Sequence, residues 1–141
     1  MAELIIPRPA VDAAVAVITE GLPDADWHDV FVSRRMPGLA SGHRVLPDAF
    51  IRVTRTGGGL LNRVTDNAGL LVECWHNAGR AEQLAGAAIG VLGRAPQTRC
   101  RYAGAYVRGF GNVFGPTDFP DPLVPSHDRF QFTGDLALAT T

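Results

Sequence analysis

The alternation of apolar and polar side chains is clearest near the carboxyl end of the chain. Phe130, Phe132, Leu136 and Leu138 alternate with polar residues, which predicts a strand over about 128–139. The same period of two predicts a strand over about 49–56 and a weaker one over 28–35. Strands are also predicted over about 69–76 and 102–113. In the first of these, adjacent large side chains indicate burial on both faces of the sheet.

Two stretches have the period of a helix instead. Apolar residues recur at helical spacing after Pro9, which suits a first helical position, and they predict a helix over 9–20. The second helix begins near Asn77, a good N-cap residue, and Gly93 and Pro96 are expected to close it. Its apolar face includes small residues that allow close packing on a sheet, and it comprises Ala81, Leu84, Ala85, Ala88, Ile89 and Leu92.

The resulting order, α-β-β-β-α-β-β, predicts an α+β fold. A mixed, mainly antiparallel sheet of about five strands packs on two helices within a single domain over 1–141. The segment from Gly57 to Gly69 is expected to be either a connection or a flared hairpin, with weak internal structure, and the triple glycine is expected to form a turn or a flexible tip.

Composition excludes several classes of function. The formal net charge is −1, which gives no signal of a polyanion-binding domain, and all 13 basic residues are Arg, as a GC-rich genome would produce. The two cysteines define neither a disulfide framework nor a zinc site. The amino terminus lacks the features of a signal peptide, and no apolar run is long enough to cross a bilayer, so we expect the protein to be made and kept in the cytoplasm.

Candidate chemistry is weak throughout. Residues 126–128 are Ser-His-Asp, but a hydrolytic triad is assembled from separate segments, and adjacent residues cannot readily align. The triple glycine at 57–59 follows a strand as a phosphate loop would, yet no helix follows it. Cys74 and His76 have no second pair of metal ligands. We therefore expect no catalytic, cofactor-binding or metal-binding residues.

A proline-rich arm over about 113–127 is the feature least explained by a solvated loop. It contains four prolines and apolar side chains that would be costly to leave in water. Three arrangements are open: ordering against another subunit, folding back onto its own domain, and disorder. We favour the first. Prolines lower the entropy that the arm loses when it becomes ordered.

Three segments give the chain a family resemblance. They are the strand pair around the glycine-rich turn, which leads to 71–75 and then to the alanine-rich helix, the arm segment 114–122, and the closing strand 129–136. Together with the intervening residues they span about 8–138. In these patterns the chain resembles the tail terminator proteins of long-tailed, siphovirus-type bacteriophages, especially those that infect actinobacteria.

The resemblance implies an α+β fold and a non-enzymatic structural role without cofactors. It implies a homohexameric ring that ends polymerisation of the tail tube and joins the tail to head-completion or connector proteins. Such a protein is assembled in the host cytoplasm and located in the virion, at the head-proximal end of the tail. Genomic DNA passes through such a ring without specific binding, and no membrane is involved.

We expect the arm and the 57–68 connection to contact neighbouring subunits or the tube. The hypothesised interface comprises Arg52, Arg55, Gly57, Gly58, Gly59, Leu60, Arg63, Phe114, Phe119, Pro120, Pro122, Leu123 and Val124. In this hypothesis, Arg52 and Arg55 pair with acidic residues of a neighbour. The alternatives are another ring protein of the head–tail connector or of tail completion and, in a different class, a small cytoplasmic ligand-binding domain or an uncharacterised enzyme.

Overall fold

The fold was determined as a computed structural model, which describes residues 3–140. Its elements in chain order are α1 (Ala10–Gly21), β1 (Phe31–Ser33), β2 (Ala49–Asn62), β3 (Thr65–His76), α2 (Ala81–Thr98), β4 (Arg101–Tyr102), β5 (Ala105–Asp118) and β6 (Asp128–Ala139). Two short 3-10 turns lie at Leu22–Ala25 and Leu39–Ser41. The predicted α+β class is confirmed.

The strands form one mixed sheet of six strands in the order β1-β2-β3-β6-β5-β4. β1 is parallel to β2, and every other neighbouring pair is antiparallel. The long strands β3 and β6 are central and pair along their whole lengths, from Thr65 opposite Ala139 to His76 opposite Asp128. β1 and β4 are short strands at the two edges, and β4 is the strand that the predicted total of about five did not include.

Both helices pack on one face of this sheet. Ile51, Val53, Val72, Phe132 and Leu136 are buried beneath them. The helices contact each other closely at Gly21, where an added side chain would overlap the Val91 methyl groups. The predicted apolar face of α2 packs into the core, with Ala81, Leu84, Ala85, Ala88 and Leu92 fully buried, whereas Ile89 is only partly buried.

A smaller apolar cluster covers one end of the opposite face. Phe50 and Trp75 are fully buried, and their rings stack with centroids 4.7 Å apart. Val124 completes the cluster from the arm, while Phe31, Met36 and Leu46 pack around it from β1 and the following loop. β3 is thus buried on both faces from Val72 to His76, whereas Leu71, which gave the prediction together with Val72, is only partly buried.

Of the two arrangements predicted after residue 56, the hairpin is confirmed, whereas the weak internal structure and the turn at the triple glycine are wrong. Strand pairing continues from Gly57 opposite Gly69 to Asn62 opposite Thr65, so the turn contains only Arg63 and Val64. Gly58 makes this possible because its φ is +78°, and a side chain there would overlap the backbone of Asn67. The triple glycine lies within a long hairpin.

The predicted start and end of the second helix are also corrected. Asn77 does not cap it, because its backbone and side-chain amides donate to Asp48 instead, and α2 begins at Ala81. Pro96 does not end it either. The helix continues to Thr98, which allows Ala95 to pack into the core.

The first helix was predicted within one residue, whereas the predicted strand over 28–35 is shortened to three residues. Asp29 has a φ of +60°, which is incompatible with a continuous strand. The predicted strand over 102–113 is divided by a turn at Ala103 and Gly104, where both φ values are positive, into β4 and β5. β5 then extends to Asp118, so the first part of the expected arm is strand.

Candidate assembly surfaces

The β2–β3 hairpin carries the first exposed apolar surface. Every β2 residue from Thr54 to Asn62 is exposed, although the strand pairing is continuous apart from two bulges. Leu60 is 50% exposed, Leu61 71% and Val64 49%. Leu60 and Leu61 are held in a strand and Val64 in the tight turn, and all three are left in contact with water.

The hairpin tip is fixed to the terminal segments of the chain. Thr140 donates from its backbone to Val64 O at 3.1 Å and from its hydroxyl to Arg63 O at 2.8 Å. The Arg63 guanidinium donates to Glu3 O at 3.2 Å. These bonds hold the turn in one position, so Leu61 and Val64 are presented on an ordered surface.

The proline-rich arm is ordered by its own domain. β5 includes residues up to Asp118, after which residues 119–127 fold back over the end of the sheet. The Phe119 amide donates to Arg129 O at 3.0 Å, and His127 Nε2 contacts Pro47 O at 2.8 Å. Val124 is only 6% exposed and belongs to the second apolar cluster. Of the three arrangements left open by the sequence, the chain itself supplies the contacts for folding back.

Several side chains of the arm nevertheless remain exposed to solvent. Phe114 is 75% exposed, Phe119 53% and Leu123 89%, and Pro120 and Pro122 are exposed beside them. On this second exposed apolar surface, Phe114 lies on β5, across the sheet from β2, whereas the arm turn that carries Leu123 packs back over Phe50 of β2 through Val124. The structure thus brings together Phe119, Pro120, Pro122 and Leu123 at the turn of the arm and places Phe114 on β5.

Arg52 and Arg55 pair within the chain. Arg52 Nη2 lies 2.8 Å from Glu73 Oε1, while Arg55 forms a bidentate pair with Asp66 at 3.0 Å for both bonds. Asp66 is 1% exposed, so this pair neutralises a buried carboxylate. The acidic partners that we expected on a neighbouring subunit are therefore replaced by residues of the same chain.

An Arg–Glu–Arg cluster joins three strands on the face opposite the helices. Glu73 accepts from Arg52 on β2 and from Arg129 on β6, and Arg129 also donates to Phe119 O at 2.7 Å. Both guanidinium groups lie over the Trp75 ring, 5.7 and 5.6 Å from its centroid. The cluster connects the sheet to the beginning of the arm turn.

Sequence reasoning missed Glu73 and Arg129 as parts of this cluster. A hairpin register would have placed Glu73 opposite Arg52, so half of the cluster had a local signal. Arg129 had none, because it becomes a neighbour of Glu73 only when β6 pairs with β3.

A basic groove lies where α2 ends and the β4–β5 hairpin begins. Its volume is about 620 Å³, and Arg99, Arg101 and Arg108 line it together with Tyr106. The Arg101 guanidinium lies 4.4 Å from the Tyr106 ring centroid. None of these arginines forms an ion pair within the described part of the chain.

The residues considered for chemistry have structural contacts. His127 contacts Ser126 Oγ at 2.8 Å and Pro47 O, whereas Asp128 accepts from the Ala81 amide at the start of α2, so the three do not form a relay. Burial, with the Glu73 charge adding to it, raises the pKa of the Cys74 thiol and disfavours a reactive thiolate. Among residues 3–140, no group of three or more potential ligands is placed to hold a metal ion.

No helix in the described range combines the length and apolar character needed to cross a membrane. No protein-family model and no curated protein matches the chain. The described residues thus form two exposed apolar surfaces, a basic groove and a network of ion pairs within the chain.

Proposed function

We propose that this chain is a structural virion protein that forms a ring at the head-proximal end of a phage tail. In this role the ring ends polymerisation of the tail tube and provides the joint to head-completion or connector proteins. The sequence resemblance to tail terminators supports the proposal, and the α+β fold with both helices on one face of the sheet is compatible with it.

The observation that carries the proposal is the apolar surface on ordered β structure. Leu61 on β2 and Phe114 on β5 are 71% and 75% exposed, although the strands around them are held by hydrogen bonds. Exposed apolar side chains clustered on a rigid surface are typical of a binding surface rather than of a solvated loop. Leu61 and Phe114 lie on the two outer long strands, and two different surfaces of one chain suit a heterologous interface, which generates a ring when its rotation closes.

The fold-back of the arm changes which residues the proposal uses. Val124 is part of the chain's own core, so the interface is assigned to Leu60, Leu61, Phe114, Phe119 and Leu123. The tail tube protein and a connector protein are the other proposed partners. They would contact the two rims of the ring, while DNA would pass through its centre.

The first experiment is a mass measurement by size-exclusion chromatography with light scattering. The proposal predicts a particle of six times the 15.0 kDa chain, in solution or bound to ends of tubes formed by the tube protein of the same genome. The Leu60→Ser/Leu61→Ser variant should lose this assembly. Val45→Ser is the matched control, because Val45 is 81% exposed in the loop between β1 and β2, outside the proposed interface.

Negative-stain microscopy separates this proposal from its closest alternative. A terminator binds one end of a tail tube and limits tube length, whereas a connector ring binds head-completion proteins and leaves tube length unchanged. A wild-type chain that stays monomeric at all concentrations, both alone and with tubes, would favour the small ligand-binding domain or enzyme.

A further inference from the structure

The two outer long strands each have a free edge. β1 pairs with β2 only at residues 50–52, which leaves Val53–Asn62 without a strand on the outer side. β4 pairs with β5 only at Ala105 and Tyr106, which leaves Val107–Asp118 free in the same way. Unpaired peptide groups along a strand edge are a template for another strand.

The two free edges lie at the same height on the sheet. Following the register through β3 and β6, Gly58 is level with Phe110 and Leu60 is level with Val107. The short strands lie at opposite ends, since β1 is level with Asp118 and β4 begins level with Asn62. β1 therefore covers one end of the β2 edge, and β4 covers the opposite end of the β5 edge. The middle of both edges is left without a partner strand.

The bulges of the outer strands also coincide. The register shift between Arg55 and Gly57 on β2 is level with the shift between Gly111 and Phe114 on β5. Near the hairpin tip, the shift after Leu60 lies beside the one after Val107. Bulges bend a strand and increase its twist, so the two edges bend at matching heights and have related profiles.

We propose that β5 of one copy pairs with β2 of the next, so that one antiparallel sheet continues from subunit to subunit. The inference rests on the proposed ring and names the contact that closes it. β2 and β5 run in opposite directions within the chain, so a head-to-tail repeat places them antiparallel across the interface. The bulges and Pro116 allow pairing only with an edge of matching shape. Bulges and prolines on edge strands prevent non-specific association in the same way in other proteins.

A small stagger makes the contact complementary at both ends. Without it, Thr117 and Asp118 of one copy would meet β1 of the next. If the copy that supplies β5 is shifted toward the β2–β3 hairpin tip of its neighbour, its Thr117 and Asp118 no longer overlap β1 of that neighbour. The same shift moves its β4 away from the end of the neighbouring β2. Staggered registers of this kind are normal where sheets close.

Charge supports the same placement. After the stagger, Asp118 lies beside the residues that follow β1 of the neighbour. Asp118 and Arg35 are exposed, and neither has an ion-pair partner in the described part of its own chain. The exposed Leu61 and Phe114 flank the same two edges and would be covered together. A second copy therefore matches the edge in direction, profile, apolar surface and charge.

Disulfide trapping tests the contact directly. In a Cys100→Ser background, Gly59→Cys is combined either with Gly109→Cys, for the unstaggered register, or with Gly111→Cys, for the staggered one. A Cβ added at any of these glycines meets no atom within 4 Å, so the variants should fold. Gly90→Cys with Gly109→Cys is the matched control, because Gly90 is equally open but lies on α2.

The inference predicts a reducible series of crosslinked chains, ending at the ring, from at least one β2–β5 pair and from neither single variants nor the control. Assemblies of wild-type mass without crosslinks from both pairs would overturn edge pairing and leave the ring proposal standing. A wild-type chain that remains monomeric under all conditions would contradict both. As a second measurement, Asp118→Arg and Arg35→Asp should each weaken assembly, and together they should restore it; no restoration would overturn the proposed contact between them.

Discussion

Arg129 and Glu73 are 56 residues apart in sequence, and Arg129 Nη1 donates to Glu73 Oε2 at 3.0 Å on the face of the sheet that the helices leave open. Their side chains are 11% and 5% exposed, whereas Arg52, the second partner of Glu73, is 34% exposed. The contact joins the two central strands at the point where the arm turn returns to the sheet. The two arginines should therefore differ in their contribution to stability.

The Arg129→Met variant should lower the free energy of unfolding by about 3 kcal/mol, because it leaves a buried carboxylate with one partner. Arg52→Met should cost about 1 kcal/mol, since water screens the more exposed pair. Urea denaturation at neutral pH measures both values. An equal or larger loss for Arg52→Met would contradict this assignment of the two roles.

His76 should make stability depend on pH. Burial, followed by the Arg80 charge, lowers the pKa of His76, and the Ala78 amide donates to its Nδ1 at 3.0 Å, a bond that requires an unprotonated nitrogen. The unfolded chain therefore binds more protons than the folded chain, so the stabilisation present above about pH 6.5 is lost as pH falls.

The His76→Asn variant keeps an acceptor near the Ala78 amide but removes the titrating ring. Denaturation at pH 7.5 and 5.5 should show a smaller loss of stability in this variant than in the wild type. The same pH dependence in both proteins would mean that His76 is not the responsible group.

Gly58 should tolerate an added methyl group far less well than its neighbour. Gly58→Ala should cost about 2 kcal/mol because its φ is +78° and the Cβ would overlap the Asn67 backbone. Gly59→Ala should have an effect within about 0.5 kcal/mol, since no atom lies near the added Cβ. Thermal denaturation of both variants measures the difference. Similar losses of stability would show that Gly58 is not the position that requires glycine.

The arm turn should contain one core residue next to an exposed one. Val124→Ala should lower the free energy of unfolding by about 2 kcal/mol through lost burial beside Phe50 and Trp75. Leu123→Ala, at a side chain that is 89% exposed, should leave folding stability unchanged. If Val124→Ala were neutral, the turn would not be packed on the sheet as described.

The two cysteines should react at very different rates. Cys74 is fully buried and its pKa is raised, whereas Cys100 is exposed, so a thiol reagent should modify one thiol in the folded protein and both after denaturation. Mass spectrometry of the modified peptides identifies the site. Rapid native modification of Cys74 would show that the core opens more readily than its packing implies.

The local pattern predicted those elements whose signal lies in nearby residues. Period-two alternation placed β6 at its observed bounds, and helical spacing placed α1 to within one residue. Buried positions on α2 largely follow the predicted apolar face, with Val91 and Ala95 added. In each case one face of the element packs against the core, so apolar side chains recur along the sequence with the period of that strand or helix.

The ends of elements depended on partners that are distant in sequence. Gly57–Gly59 have a turn-like composition, yet strand pairing with β3 extends through them because the hairpin continues the ladder. Asn77 suits an N-cap, but Asp48 binds it from another part of the chain. Local propensity predicted these positions incorrectly because the competing partner could not be identified from neighbouring residues.

The sequence by itself determined the α+β class, the main strands and the apolar faces, because hydrophobic burial imposes a period on each element. Only the tertiary structure decided that Glu73 joins Arg52 and Arg129, that Val124 belongs to the core while Leu123 does not, and that the free edges of β2 and β5 lie at the same height. Those relationships arise when strands from distant parts of the chain pair in one register. Burial of the apolar faces and the geometry of the turns select that register, and for strands that are distant in sequence no short-range pattern reveals it.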